Sequence, residues 1–169
     1  MKKLLFVCLF ITSILAGNIK TDDTIIGIHT GSIKLSNDTD SEKDIGVKLG
    51  YYFYDPNKYI ISNRLYFEAS RILKDNSSLY SGELNLDWIF NQLNYIKPFI
   101  GANLGYLYDN DNNDNSTSFY GFNAGILIYL GDFIELEGGA KINHPLNNDT
   151  KDLYPDNFKK IYGSINFSF

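Results

Sequence analysis

Apolar and polar residues alternate along most of this chain. From Asp44 to Tyr54, "DIGVKLGYYFY", residues Ile45, Val47, Leu49, Tyr51 and Phe53 fall on one face. Asp44, Gly46, Lys48, Gly50, Tyr52 and Tyr54 fall on the other. Residues 79–91, 133–143 and 160–169 repeat this period of two, which belongs to strands and not to helices. No stretch sets its apolar residues at helical spacing. The alternation predicts eight strands, near 24–35, 43–54, 59–73, 79–91, 95–108, 118–131, 133–146 and 158–169. Strand one is the least regular: Ile25, Ile26, Ile28, Ile33 and Leu35 do not share a face, which predicts a bulge near Gly27 or Gly31.

Every predicted strand is longer than the five or six residues usual in globular sheets. Each is long enough to cross a bilayer at a tilt, which takes about 9–11 residues. The connections read as alternating in length. "DPNK", "QLN" and a turn at Gly131-Asp132 are short, whereas "SNDTDSE", "DNSS", "DNDNNDNST" and "LNNDTKDLYPDN" are longer and polar. Up-and-down strands with short turns at one end and long loops at the other follow the plan of an outer-membrane barrel. The fold class expected is therefore all-β: an eight-stranded, up-and-down, antiparallel transmembrane barrel.

The N-terminus adds a compartment. Lys2 and Lys3 precede the apolar run Leu4 to Ala16, which is too short to span a bilayer as a helix. Polar "NIKTDD" follows, so residues 1–16 read as a secretory signal peptide and 17–169 as the barrel domain. The single Cys, Cys8, belongs to the leader, so no disulfide is expected in the barrel. Losing Lys2 and Lys3 from the 15 basic residues leaves 13 against 20 acidic, which disfavours nucleic acid as a partner.

Alternation does not say which face is inward. On an apolar-out barrel, the charges Lys48, Arg64, Glu68, Glu83, Asp87, Lys97, Glu135, Glu137, Lys141 and Lys160 crowd the lumen. Five positive and five negative groups in so narrow a space must pair. Tyr51, Phe53, Trp88, Phe90, Tyr106 and Tyr120 then form aromatic girdles at the membrane interfaces. The inward face, rich in glycine and small polar residues, is expected to be nearly empty of large apolar groups. Pro98 lacks the N–H that a closed ladder needs and is expected at the rim of strand five.

The chain ends on Ile161, Gly163, Ile165, Phe167 and Phe169 at alternate positions. This resembles the C-terminal signature of bacterial outer-membrane barrels, an aromatic last residue preceded by alternating apolar residues. "KPFIGANLGYLY" (97–108), "FYGFNAGILIYL" (119–130) and "FIELEGGAKI" (133–142) are similar to the later strands of small barrels of the OmpA/OmpX type. The resemblance covers most of the chain and specifies a fold. It implies outer-membrane localisation, contact with outer-membrane lipid and lipopolysaccharide, and reading by the outer-membrane assembly machinery. The length leaves no room for the peptidoglycan-binding domain of larger relatives.

Three roles follow. The leading one is structural or surface-interaction, adhesin-like, through loops near 109–117 and 147–157 that would touch host, phage or matrix partners. The second is a narrow channel for ions or small solutes. The third, lipid A modification, is disfavoured, because a hydrolase needs a His beside a Ser with an orienting acid. The histidines are His29 and His144; His29 and Ser32 lie three apart on a strand and so face opposite ways. No catalytic or cofactor-binding residue is assigned. No metal site is assigned either: Asp109, Asp111 and Asn113 start like a calcium loop, but Asp114 and Tyr120 replace its glycine and closing Glu.

Overall fold

A computed structural model describes residues 23–35, 41–53, 60–74, 78–92, 96–109, 116–130, 133–146 and 157–169. Residues 1–22, with the expected leader at 1–16, and most of each long loop, including 110–115 and 147–156, lie outside these residues. Eight strands follow in order: β1 (Asp23–Lys34), β2 (Glu42–Tyr52), β3 (Ile61–Leu73), β4 (Ser78–Phe90), β5 (Ile96–Asp109), β6 (Thr117–Tyr129), β7 (Ile134–Pro145) and β8 (Phe158–Ser168). Their ends fall within two residues of those read from the alternation. Each strand pairs antiparallel with its neighbour in sequence, and β8 returns to β1 to close the barrel.

Closure explains the apolar C-terminus. A spanning sheet must satisfy every backbone polar group within the protein. The ladder between β1 and β8 runs from Ile25–Ser168 to Lys34–Lys159. It is extended by Thr24 N–H donating to the Phe169 carbonyl (2.8 Å) and Phe169 N–H to the Thr24 carbonyl (3.1 Å). Pro98 falls one residue beyond the last β4–β5 pair, Ile89–Phe99, so its missing N–H interrupts no pair of that ladder.

Three expectations are corrected. First, β1 has no bulge: its registers with β2 and β8 advance one residue at a time throughout. Ile25, Ile33 and Leu35 disturb the alternation because they point inward and are buried, while Ile26 and Ile28 point outward. Second, the connection lengths do not alternate cleanly. The β2–β3 connection covers 53–60, longer than the β3–β4 connection at 74–77. The two ends are better told apart by the chain itself: β1 begins and β8 finishes at the near end, and the long β7–β8 connection marks the far end.

Third, the inward face holds large apolar groups at both ends. Ile33, Leu35, Ile72, Leu79, Leu107, Phe119 and Phe158 pack together at the far end, with the Phe119 and Phe158 rings edge to face at 4.9 Å. Ile25, Tyr52, Ile89, Phe99 and Leu127 pack together at the near end, with Tyr129 against them. Inward glycines receive two of these rings. A Cβ at Gly105 would run into the Phe119 ring, and one at Gly125 into the Gly138 carbonyl and then the Phe99 ring.

The outward face is apolar and open. Val47 is 56% exposed, Ile100 52%, Phe122 55% and Phe167 47%. Leu86 shares this face, by its alternation with buried Asn85 and Asp87, yet is itself covered. Strands of 11–14 residues at roughly 3.3 Å per residue and 40° of tilt rise about 28–35 Å, enough for the ~25 Å apolar band of an outer-membrane barrel. So large an exposed apolar belt is stable only against lipid.

Candidate functional site

The lumen is the most chemically dense part of the molecule. The ten charged residues named from the sequence all point inward and are at most 4% exposed. Asp44 and His29 join them. Neither was assigned to the network from the sequence, although Asp44 shares the polar face of β2 with Lys48; His29 lies on β1, where the alternation is broken.

Register assembles the groups. Lys48 stands opposite Glu68 across β2–β3, and Arg64 opposite Asp87 across β3–β4. Two neighbouring pairs are of like charge: Glu68 opposite Glu83, and Lys141 opposite Lys160. Either pair alone would be repulsive. The barrel sets them against each other across its width. Lys141 Nζ reaches Glu83 at 2.7 Å and Glu68 at 3.2 Å, and also Asn85 Oδ1 at 3.0 Å. Lys160 Nζ reaches Glu68 at 2.7 Å and Asp44 at 2.5 Å. His29 Nε2 lies 3.0 Å from Asp44 and 3.2 Å from Lys160 Nζ.

A second layer is centred on Glu137, which accepts from Lys48 and Arg64 at 3.0 Å each. Tyr162 Oη (2.8 Å) and Asn166 Nδ2 (3.0 Å) donate to it as well. Arg64 also donates to Asp87 through Nη2 at 2.6 Å and Nε at 3.2 Å, and Asn123 donates to the other Asp87 oxygen. Lys48 Nζ lies 3.9 Å from Glu68, joining the layers. The Tyr66 and Tyr162 rings lie between the cations, with Arg64 4.7 Å from the Tyr66 centroid and Lys48 4.6 Å from that of Tyr162. Towards the near end Tyr52 donates to Glu135 at 2.9 Å, and Lys97 sits 4.2 Å over the Tyr129 ring.

This arrangement straps β3 and β4 to β7 and β8 through the interior. Buried charges tolerate desolvation only when paired and hydrogen-bonded, and Lys48, Arg64, Lys141 and Lys160 have both through Glu68, Glu83, Asp87 and Glu137. The apolar clusters then close the charged layer at each end. Inward tyrosines and asparagines were overlooked in the sequence because they carry no formal charge; their alternation with outward apolar residues was the available signal.

The remaining candidates lie elsewhere. Tyr51, Tyr106 and Tyr120 are exposed on the outward face, and Phe53, Trp88 and Phe90 are half-buried there. Ile161, Gly163, Ile165, Phe167 and Phe169 line the outside of β8, all exposed. His144 stacks on Tyr120 of the adjacent strand at 5.4 Å. Ser118 lies diagonally across from it, but no hydrogen bond joins the two. Ser32 faces outward, away from His29. Among the described residues no group of His, Cys, Asp or Glu is arranged to hold a metal ion.

No family model and no curated protein matches the sequence. Solved structures do match. The N-terminal β-barrel domain of Pseudomonas aeruginosa OprF superposes with a TM-score of 0.63 at 14% identity, over 86% of this chain and 97% of that one. Neisserial surface protein A gives 0.61 at 12% identity, over 90% and 100%. The outer membrane enzyme PagL gives 0.55 at 14% identity, over 86% and 98%. At such identities the likeness establishes the fold: a small outer-membrane β-barrel of the OmpA/OmpX type.

Proposed function

We propose that this barrel serves as a surface-interaction protein, presenting its far-end loops outside the cell on a rigid, non-conducting frame. The observation that carries the reading is the closed interior: a charged layer whose central cations Lys48, Arg64, Lys141 and Lys160 are each held by carboxylates, between two apolar clusters. A conduit needs a continuous polar path with sites that bind weakly enough to release. Here the inward cations of the two charged layers are each held by carboxylates of the protein itself. A frame so tied frees the far-end connections to carry recognition. Adhesion of expressing cells to host cells and matrix tests it. Replacing residues 110–115 and 147–156 by Gly-Ser linkers should reduce adhesion to that of cells lacking the gene, with the barrel still assembled. Undiminished adhesion, or absence of adhesion from the unaltered protein, would sink the reading.

A second reading, lipid A modification, has the likeness to PagL in its favour. Against it, the described histidines lack a hydrogen-bonded serine. Mass spectrometry of lipid A from cells with and without the gene separates the two: altered acylation supports an enzyme, and an unchanged profile retires it.

A further inference from the structure

Inside the barrel the two like-charged pairs set opposite each other among the described residues, Glu68–Glu83 and Lys141–Lys160, answer one another. On the outside the described residues include one like-charged pair without such an answer. Lys34 at the end of β1 stands directly opposite Lys159 of β8, and both are exposed. Lys43 on β2 and Arg71 on β3 lie close by, exposed and facing outward, one register step apart diagonally. None of the four has a carboxylate partner among the described residues; Arg71 bonds only to Ser78 Oγ, at 2.9 and 3.1 Å.

All four lie within three residues of the far end of four adjacent strands, β8, β1, β2 and β3. On the other half of the circumference the corresponding outward positions are aromatic: Tyr80, Tyr108, Tyr120 and His144. The far-end girdle is thus half cationic and half aromatic. Aromatic residues suit any headgroup region, whereas clustered Lys and Arg at that depth suit anionic headgroups.

The surface just inward of the cations differs too. Below Lys34 and Lys159 lie Ser32 and Thr30, then Gly163 of β8 and Gly138 of β7 side by side. A Cβ at Gly138 would meet nothing within 4 Å, and one at Gly163 nothing nearer than 3.8 Å. Flanked by exposed Ile28, Ile161 and Ile165, these small residues leave a shallow trough running from the cations into the apolar band.

We propose that this face binds a phosphorylated lipid of the leaflet at the far end, its phosphates held by Lys34, Lys159, Lys43 and Arg71 and one acyl chain lying in the trough over Gly163 and Gly138. Repulsion between Lys34 and Lys159 becomes attraction once a phosphate sits between them. The trough makes the occupant a lipid and not a free anion.

Native mass spectrometry of the detergent-solubilised protein, titrated with bis-phosphorylated lipid A or with phosphatidylcholine, tests this. The unaltered protein should retain lipid A in preference to phosphatidylcholine. Each cation near an anionic surface contributes roughly a fivefold factor, so the double variant K34Q/K159Q should retain lipid A at least tenfold more weakly. A second variant, G138L/G163L, fills the trough without changing charge and should also weaken retention. Both substitutions face open space, and heat-modified gel mobility verifies folding. Inorganic phosphate at millimolar concentration should not displace the lipid. Equal retention by the K34Q/K159Q variant, no preference for lipid A, an unaffected trough variant, or full displacement by phosphate would each overturn the proposal.

Discussion

Glu137→Gln is the sharpest probe of the interior. The carboxylate lies between two cations, Lys48 and Arg64, each 3.0 Å away, with side chains at most 1% exposed. The amide keeps the shape and can still accept from Tyr162 or Asn166. It removes the negative charge and leaves Lys48 with Glu68 at 3.9 Å as its nearest carboxylate. Breaking a buried pair by removing one partner costs about 3–5 kcal/mol. Arg64 retains Asp87, so the lower part of that range applies, about 3 kcal/mol. With a urea slope of roughly 1–3 kcal/mol/M, the unfolding midpoint should fall by about 1–3 M. The assay is urea unfolding in detergent micelles or vesicles, read by Trp88 fluorescence. The double variant K48M/E137M should lose less than the sum of its single changes, because neither partner is left alone. A loss below about 0.5 kcal/mol, the size seen for exposed pairs, would mean that water fills the lumen and that the sealed-frame argument is wrong.

Three further outcomes follow from the same geometry. In planar bilayers the unaltered protein should give no stepwise openings; L107S or L127S alone should not change that, and the two together should raise ion flux, since each opens one apolar seal. Gly105→Leu should destabilise the barrel by about 1–3 kcal/mol through overpacking against the Phe119 ring, with F119A in the same chain recovering part of the urea midpoint. Val47→Arg, at the middle of β2 on the exposed face, should cost about 2–4 kcal/mol in vesicles, measured by refolding titration.

The sequence exposed its strands because β2, β4, β7 and β8 carry apolar residues on the lipid side and polar or small residues within. It misled at β1, where Ile25, Ile33 and Leu35 break the alternation by belonging to the end seals. Sorting residues by hydrophobicity assigns such groups to the wrong face, and so the two seals went unseen. The ten lumen charges could be named because they alternate with apolar neighbours. Their partners could not: Lys160 meets Glu68 across 92 residues and Lys48 meets Glu137 across 89. Such pairs depend on register and barrel closure, which no short segment encodes. His29 with Asp44 was missed for the same reason. The paired lysines at 34 and 159 are likewise invisible until β8 is laid beside β1.

The claim on which the rest depends is that apolar residues of the two parities live in different places: outward ones in lipid, inward ones in the end seals. Nuclear Overhauser contacts between lipid acyl chains and methyl-labelled protein in nanodiscs test it directly. Val47, Leu104 and Ile165, exposed on the outside, should show strong cross-peaks to acyl methylenes. Ile25, Ile89, Leu107 and Leu127, buried within, should show none. Acyl cross-peaks to the second set, or water cross-peaks to the first, would contradict the account.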